Sequence, residues 1–211
     1  MSRLWIDHVI YAVDDLDAAG EALFEREGLA SVPGGRHEGW GTQNRIVPLG
    51  ESYLELIAVA DGDEARESAF GLAVLRALRE KRPLVGWVVA TDDIDAVAAR
   101  LGLEVEEKSR DASDGSTLRW RVAGLERAMK TGALPFFVQW DVPPDRHPGA
   151  AEVLHETEPQ GIAWVEVSAD EPDELKEWLG EEADLPVRVS DGHPAPAAAA
   201  IATSGAEIVL R

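Results

Sequence analysis

The chain has 211 residues, is 45% hydrophobic and 28% charged, and contains no cysteine. That length supplies enough apolar material for one large domain or two small ones, and the cysteine count excludes a disulfide scaffold, a thiolate metal site and a thiol nucleophile. Forty acidic residues against twenty basic ones give a net charge of −20, so phosphate backbones repel the chain and nucleic acid and anionic membranes are excluded as expected partners.

No run approaches the roughly 18–20 apolar residues that a bilayer span requires. The opening Met1-Ser2-Arg3-Leu4-Trp5 leads straight into strand-like sequence instead of a signal peptide, and the expected location is cytoplasmic. In chain order, residues 4–13 (LWIDHVIYAV) read as a strand. Asp14 follows as a helix cap, and Leu16, Ala19, Leu23 and Phe24 recur at helical spacing up to Gly28. Short strands are expected near 30–37, 43–49 and 53–60. Residues 62–82 read as one helix with Phe70, Val74, Leu75 and Leu78 on a single face.

The same pattern then repeats. Strand Leu84–Ala90 leads to Asp92, to Ile94, Val97, Ala98 and Leu101, and to Gly102, with strands expected near 103–108, 116–123 and 134–141. After 142–160, which carries Pro143, Pro144, Pro148 and Pro159 and reads as a linker, it begins a third time. Strand Ile162–Val167 leads to Asp170, to Leu175, Trp178 and Leu179, and to Gly180, with strands near 185–190, 197–203 and 205–210. The aspartates at 14, 92 and 170 are evenly spaced. The expected class is α+β, with three β-α-β-β-β modules (1–61, 83–141 and an abbreviated 161–211) packed as one unit and joined by a linker helix (62–82) and a linker (142–160). Two modules side by side make curved mixed sheets around a cup, with helices outside, and such a cup suits a small molecule.

By alternation His8 shares a strand face with Leu4, Ile6 and Ile10, and Glu55 sits in the apolar run Tyr53-Leu54-Glu55-Leu56-Ile57. A charge on an apolar face needs a partner or a metal; a core histidine bonded to a carbonyl and a core glutamate facing an arginine would equally satisfy the pattern. The segment 33–45 (PGGRHEGWGTQNR) adds Arg36, His37 and Asn44 among glycines, which reads as a pocket rim. It is not a phosphate loop, because no Gly-Lys-Ser/Thr follows. No Gly-x-Ser-x-Gly elbow is present either. His147, His155 and His193 lie in proline- or acid-rich stretches and read as solvent-facing, while Trp87, Trp120, Trp140 and Trp164 read as core with one or two lining a pocket.

His8, Gly34-Gly35-Arg36-His37, Gly41-Thr42-Gln43-Asn44 and Tyr53-Leu54-Glu55-Leu56 together resemble the glyoxalase-like branch of the vicinal oxygen chelate superfamily, whose building block is the β-α-β-β-β module. The resemblance is strongest over residues 4–60 and extends to Trp140. It implies a divalent metal, acting as a Lewis acid on vicinal substrate oxygens in a lyase, isomerase or dioxygenase, with His8 and Glu55 in the first module's ligand positions. In the second module Gly86 stands where His8 stands in the first, and the nearest last-strand donors are Gln139 and Glu207. The resulting expectation is a site with His8, Glu55 and Glu207 on the metal, Glu55 and His37 catalytic, and Asn44, Arg36, Gln139 and Trp87 contacting substrate. Imidazole and carboxylate donors suit zinc, iron, manganese or nickel. The alternative is a metal-free binding or drug-sequestering protein on the same fold. A small-molecule ligand and a homodimer are the expected partners.

Overall fold

The computed structural model describes residues 2–111, 117–180 and 183–211. The first module runs β1 (Leu4–Ala12), α1 (Leu16–Glu27), β2 (Val32–His37), β3 (Thr42–Pro48) and β4 (Tyr53–Val59). Its strands lie in the order β2-β3-β4-β1, with β1 parallel to β4 and the remaining neighbours antiparallel. The second module runs β5 (Leu84–Thr91), α4 (Ile94–Leu101), β6 (Val105–Asp111), β7 (Thr117–Ala123), α5 (Leu125–Thr131) and β8 (Phe136–Trp140). It repeats the order as β5-β8-β7-β6, and an antiparallel β1–β5 pair fuses the two into one eight-stranded curled sheet. The fold is α+β.

Several local expectations shift. The helix caps fall one residue later than the repeated aspartates: Asp15 and Asp93 accept the N–H groups of Ala18 and Ala96, at 3.0 Å each. Gly28 and Gly102 close both helices in the left-handed conformation. The single helix expected over 62–82 is two, α2 (Gly62–Glu67) and α3 (Ala69–Glu80). They are divided at Ser68, which is extended and caps α3 through the Gly71 N–H. The helix α5 interrupts the run between β7 and β8.

The strand face assigned to His8 is also corrected. The β1–β5 register slips between Ile6 and His8, so β1 carries one extra residue at Asp7. Leu4 and Ile6 therefore pack in the outer core with Val9 and Trp87, while His8 and Ile10 turn to the inner side. On that inner side Ile10, Ile57, Val88, Phe136 and Val138 meet Phe70 and Val74 of α3 and Met129 of α5.

The third module has the expected element sequence, β9 (Pro159–Ala169), α6 (Pro172–Leu179), β10 (Val187–Asp191), β11 (Ala195–Thr203) and β12 (Ile208–Leu210), but not the expected topology. Its order is β10-β9-β11-β12. The short α6 returns the chain so that β10 lies parallel and adjacent to β9, the place that the last strand takes in the other modules. This sheet covers the outer face of the large one. Val165, Val167, Ala199 and Ile201 share a core with Val9, Trp87, Val89 and Phe137, and the small side chains of β11 let it lie against β5.

The 142–160 segment is docked, not free. His155 accepts the Ala30 N–H at Nδ1 (3.0 Å) and donates from Nε2 to the Pro48 carbonyl (2.9 Å), which corrects its reading as solvent-facing. Among the described residues no helix is long and apolar enough to cross a membrane. Leu23, on the buried stripe of α1, is 8% exposed. Leu23→Ala should cost about 2–5 kcal/mol in a urea melt; a loss below about 0.5 kcal/mol, the scale of surface changes, would mean that α1 contributes nothing to the outer core.

Candidate functional site

The curl of the sheet, the β2–β3 hairpin and the start of α3 form a small cavity of about 40 Å³, open to solvent at one side and lined by His8, His37, Asn44, Tyr53, Glu55 and Arg110 with aromatic walls. Alternation along β4 turns Tyr53 and Glu55 into this space and Leu54 and Leu56 into the outer core. Glu55 is 4% exposed. Its Oε2 lies 3.7 Å from His8 Nε2 and its Oε1 lies 3.7 Å from His37 Nε2.

Asn44 holds the arrangement together. Its amide nitrogen donates to Glu55 Oε1 at 2.5 Å and to His37 Nε2 at 3.3 Å, and its Oδ1 accepts the Gly35 N–H at 2.8 Å. Because His37 Nε2 accepts in that network, its Nδ1 carries the proton and donates to the Thr42 hydroxyl at 3.0 Å. Burial lowers the His37 pKa, and the Arg110 and His8 charges lower it further against the pull of Glu55, so the neutral ring is favoured. A Cβ on Gly34 would fall 1.9 Å from Asn44 Oδ1. Only glycine leaves Asn44 room there.

Behind His8 stands Asp7, fully buried. Its Oδ1 lies 2.5 Å from His8 Nδ1, and its Oδ2 accepts from His147 Nε2 and Trp140 Nε1, each at 3.0 Å. Burial pushes the Asp7 carboxyl up, but the His147 and His8 hydrogen bonds and charges outweigh it and hold the pKa at about 2. An ionised carboxylate only accepts, so His8 Nδ1 carries a proton and Nε2 is the atom turned toward Glu55. His147 Nδ1 accepts the Gly149 N–H at 3.1 Å, which fixes its proton on Nε2. Tyr53 stacks on His8 with ring centroids 4.3 Å apart. Burial, with the Asp7 and Glu55 charges, raises its phenol well above the ordinary tyrosine value.

Of the residues singled out in the sequence, His8, His37, Asn44 and Glu55 line this one cavity. Trp87 does not: with Gly86 and Val88 turned inward it points to the outer core, wholly buried, and donates to the Ala133 carbonyl. Gln139 lies between Val138 and Trp140, which face the cavity, and so turns away. There it accepts the Ile94 N–H and the Arg121 guanidinium. Glu207 belongs to the other sheet, just before β12, and accepts from Trp164 Nε1 at 2.9 Å. Arg36 stands at the rim, paired with Glu64 at 2.7 Å. The residues missed are Asp7, Tyr53 and Arg110, together with His147, which read as solvent-facing and instead bonds Asp7, and Trp40, Phe70 and Phe136 among the walls. A carboxylate and an imidazole adjacent on one strand, Asp7-His8, was the available signal for the first of these.

The donor set does not fit the expected divalent metal. Among the described residues no group of three or more His, Asp or Glu side chains is placed to hold one ion. His8 and His37 approach different oxygens of Glu55, and one of those oxygens already takes the Asn44 amide. The second module contributes Phe136 and Val138 to the cavity where donors were expected, with Gly86 packed beneath Met129. A catalytic metal of this kind needs about three protein donors converging on one point, and the described residues present no such group.

No curated protein matches the sequence. Among solved structures, a hypothetical protein from Staphylococcus aureus is similar over 99% of both chains, at 19% identity and a TM-score of 0.69. A methylmalonyl-CoA epimerase from Mycobacterium tuberculosis aligns over 66% of this chain and 89% of its own, at 20% identity and a TM-score of 0.45. A hypothetical protein from Bacillus halodurans C-125 aligns over 66% and 95%, at 10% identity and a TM-score of 0.45. Likeness at these identities concerns the fold alone. The family model described as "Glyoxalase-like domain" matches residues 6–183, and with most of the chain inside that match the protein belongs to the glyoxalase-like domain family.

Proposed function

We propose that the protein binds a small oxygenated molecule in the cup and moves a proton on it without a resident metal, as an isomerase or lyase. The observation behind this reading is the buried Glu55 carboxylate at the cavity wall, set between the two imidazole Nε2 atoms and held by Asn44. As a carboxylate, Glu55 removes a proton from a carbon beside a carbonyl. The Asn44 hydrogen bond occupies Oε1 and leaves Oε2 to take the proton. His8, held at Nδ1 by Asp7, turns an unprotonated Nε2 toward Glu55 Oε2. The proton that Glu55 has taken passes to His8 Nε2 and from there back to substrate or to solvent, while neutral His37 with its Nε2 on Asn44 helps to hold the carboxylate in place. The Tyr53 phenol keeps its proton because of its raised pKa and supplies a donor for the developing enolate oxygen.

The aromatic walls also favour a second reading, a binding protein with no chemistry, and one measurement separates the two. In deuterated buffer, 2-oxobutanoate and phenylpyruvate should exchange the hydrogens next to their ketones faster with protein than without it, as read by proton NMR, and EDTA should leave that rate unchanged. Protein purified without chelator should hold far less than one metal ion per chain by elemental analysis. No exchange above the blank with either compound would leave only the binding reading. Exchange lost to EDTA and restored by zinc, iron, manganese or nickel would overturn the metal-free mechanism.

A further inference from the structure

On a chain of net charge −20, the mouth of the cup is lined by three cations and one acid. The curl of the sheet brings its two edge strands together, so that Arg36 of β2 and Lys108 and Arg110 of β6 line one groove with Trp40 and Trp120, against Glu38 as its acidic residue. Two of these cations already have acid partners, Arg36 with Glu64 at 2.7 Å and Lys108 with Glu106 at 2.8 Å. Arg110 reaches deepest into the cup. It lines both the groove and the inner cavity, and among the described residues it is the only lysine or arginine that lines the latter. Its guanidinium lies across Gly35, where a Cβ would come within 2.8 Å of Nη1. Its charge reaches the site, lowering the pKa of both His37 and Tyr53.

Trp40 and Trp120 also line both spaces. A ligand entering the cup thus meets a guanidinium and two indole rings before it meets the Glu55 carboxylate. That order of charge selects orientation as well as class, because Glu55 repels an anion that enters first while Arg110 holds one that trails.

We infer that the cup takes a small, flat carboxylate whose anionic group pairs with Arg110 at the mouth, whose body lies against Trp40 and Trp120, and whose carbonyl end faces Glu55. The orientation rests on the proton-transfer reading above; the anion preference does not.

Benzoylformate and its methyl ester test this directly. They share the aromatic ring and ketone, differ in charge, and have no exchangeable hydrogen beside the ketone, so calorimetry reads binding without turnover. Benzoylformate should bind about ten- to a hundredfold more tightly than the ester, the factor that a charge-assisted hydrogen bond supplies. Arg110→Gln should remove that preference and leave the affinity for the ester unchanged. On the wild-type protein, added salt should weaken benzoylformate and spare the ester, which keeps the test open if Arg110→Gln does not fold. Glu55→Gln should retain the preference for the acid. Equal or tighter binding of the ester, a salt-independent preference, an unchanged preference in folded Arg110→Gln, or no binding of either probe at millimolar concentration overturns the inference. If exchange fails while the preference holds, only the proton-transfer reading falls; if the preference fails while exchange holds, only the anion does.

Discussion

Glu55→Gln should lower deuterium exchange by about 10²–10⁴-fold, the range that a positioned general base contributes, while leaving stability within about 1 kcal/mol. The substitution removes the basic oxygen but preserves the shape. The glutamine carbonyl can still accept the Asn44 amide, and its NH₂ group meets His8 Nε2, an acceptor in the neutral tautomer that Asp7 favours. A protein that merely uses Glu55 to fill its core would show no functional change. Urea melts and exchange rates on one preparation separate the cases. Exchange at the wild-type rate in a folded Glu55→Gln protein removes Glu55 from the chemistry, and Glu55→Asp, which keeps the charge but withdraws it by one methylene, should recover part of the rate if the carboxylate is the base.

Glu55 is legible in the sequence because a charge inside an apolar run has few destinations. The strand is buried at every position from Tyr53 to Ala58, and alternation then decides which side the carboxylate takes. The same rule explains two residues that left the site. In β8, Phe136, Val138 and Trp140 face the cavity, so Gln139 cannot; in β5, Gly86 and Val88 face inward, so Trp87 cannot. Both followed from chemical type without regard to strand phase. His8 is the reverse case. Its neighbours on the strand were misassigned because the extra residue at Asp7 shifts the phase, and a bulge of this kind has no glycine or proline to mark it.

What stayed hidden is non-local. His147 sits 140 residues from Asp7 along the chain, in a proline-rich stretch with no periodicity of its own. Only the docking of the turn at Pro148–Ala150 brings it in. Arg110 is likewise ordinary on its strand and acquires its place when the two sheet edges curl toward each other. The third module was readable as a string of elements but not as a topology. A strand following a helix can pair directly with the first strand or lie at the far edge, and the sequence pattern of the strands is the same in both. The consequence for the site is indirect: the third sheet buries the outer face of β1, β5 and β8, the strands that carry the cavity on their other side.

Asp7→Asn should destabilise the fold by about 3–5 kcal/mol at neutral pH, because it weakens three hydrogen bonds to a buried carboxylate and leaves a buried donor unsatisfied. Asp7 is 0% exposed and accepts from His8, His147 and Trp140. An asparagine of the same size turns an NH₂ group toward at least one of those donors, and two donors then face each other without water. The pH response follows from the carboxyl held at about 2 against an ordinary value of 3.8. The unfolded chain takes up this proton first as acid is added, so the contribution is complete above about 3.8, declines between 3.8 and about 2, and is gone below. Its size is roughly 2–3 kcal/mol. The wild type contains forty acidic residues, which all shape its acid unfolding, so the useful quantity is the gap between wild type and Asp7→Asn. Urea melts should show that gap at full size at pH 7 and pH 5 and narrowing from pH 4 downward. Equal stability at pH 7 would mean that the buried network adds nothing, and a gap that persisted unchanged to about pH 2 would mean that Asp7 is not charged in the folded protein. In either case His8 would lose the partner that fixes its tautomer and aims Nε2 at Glu55.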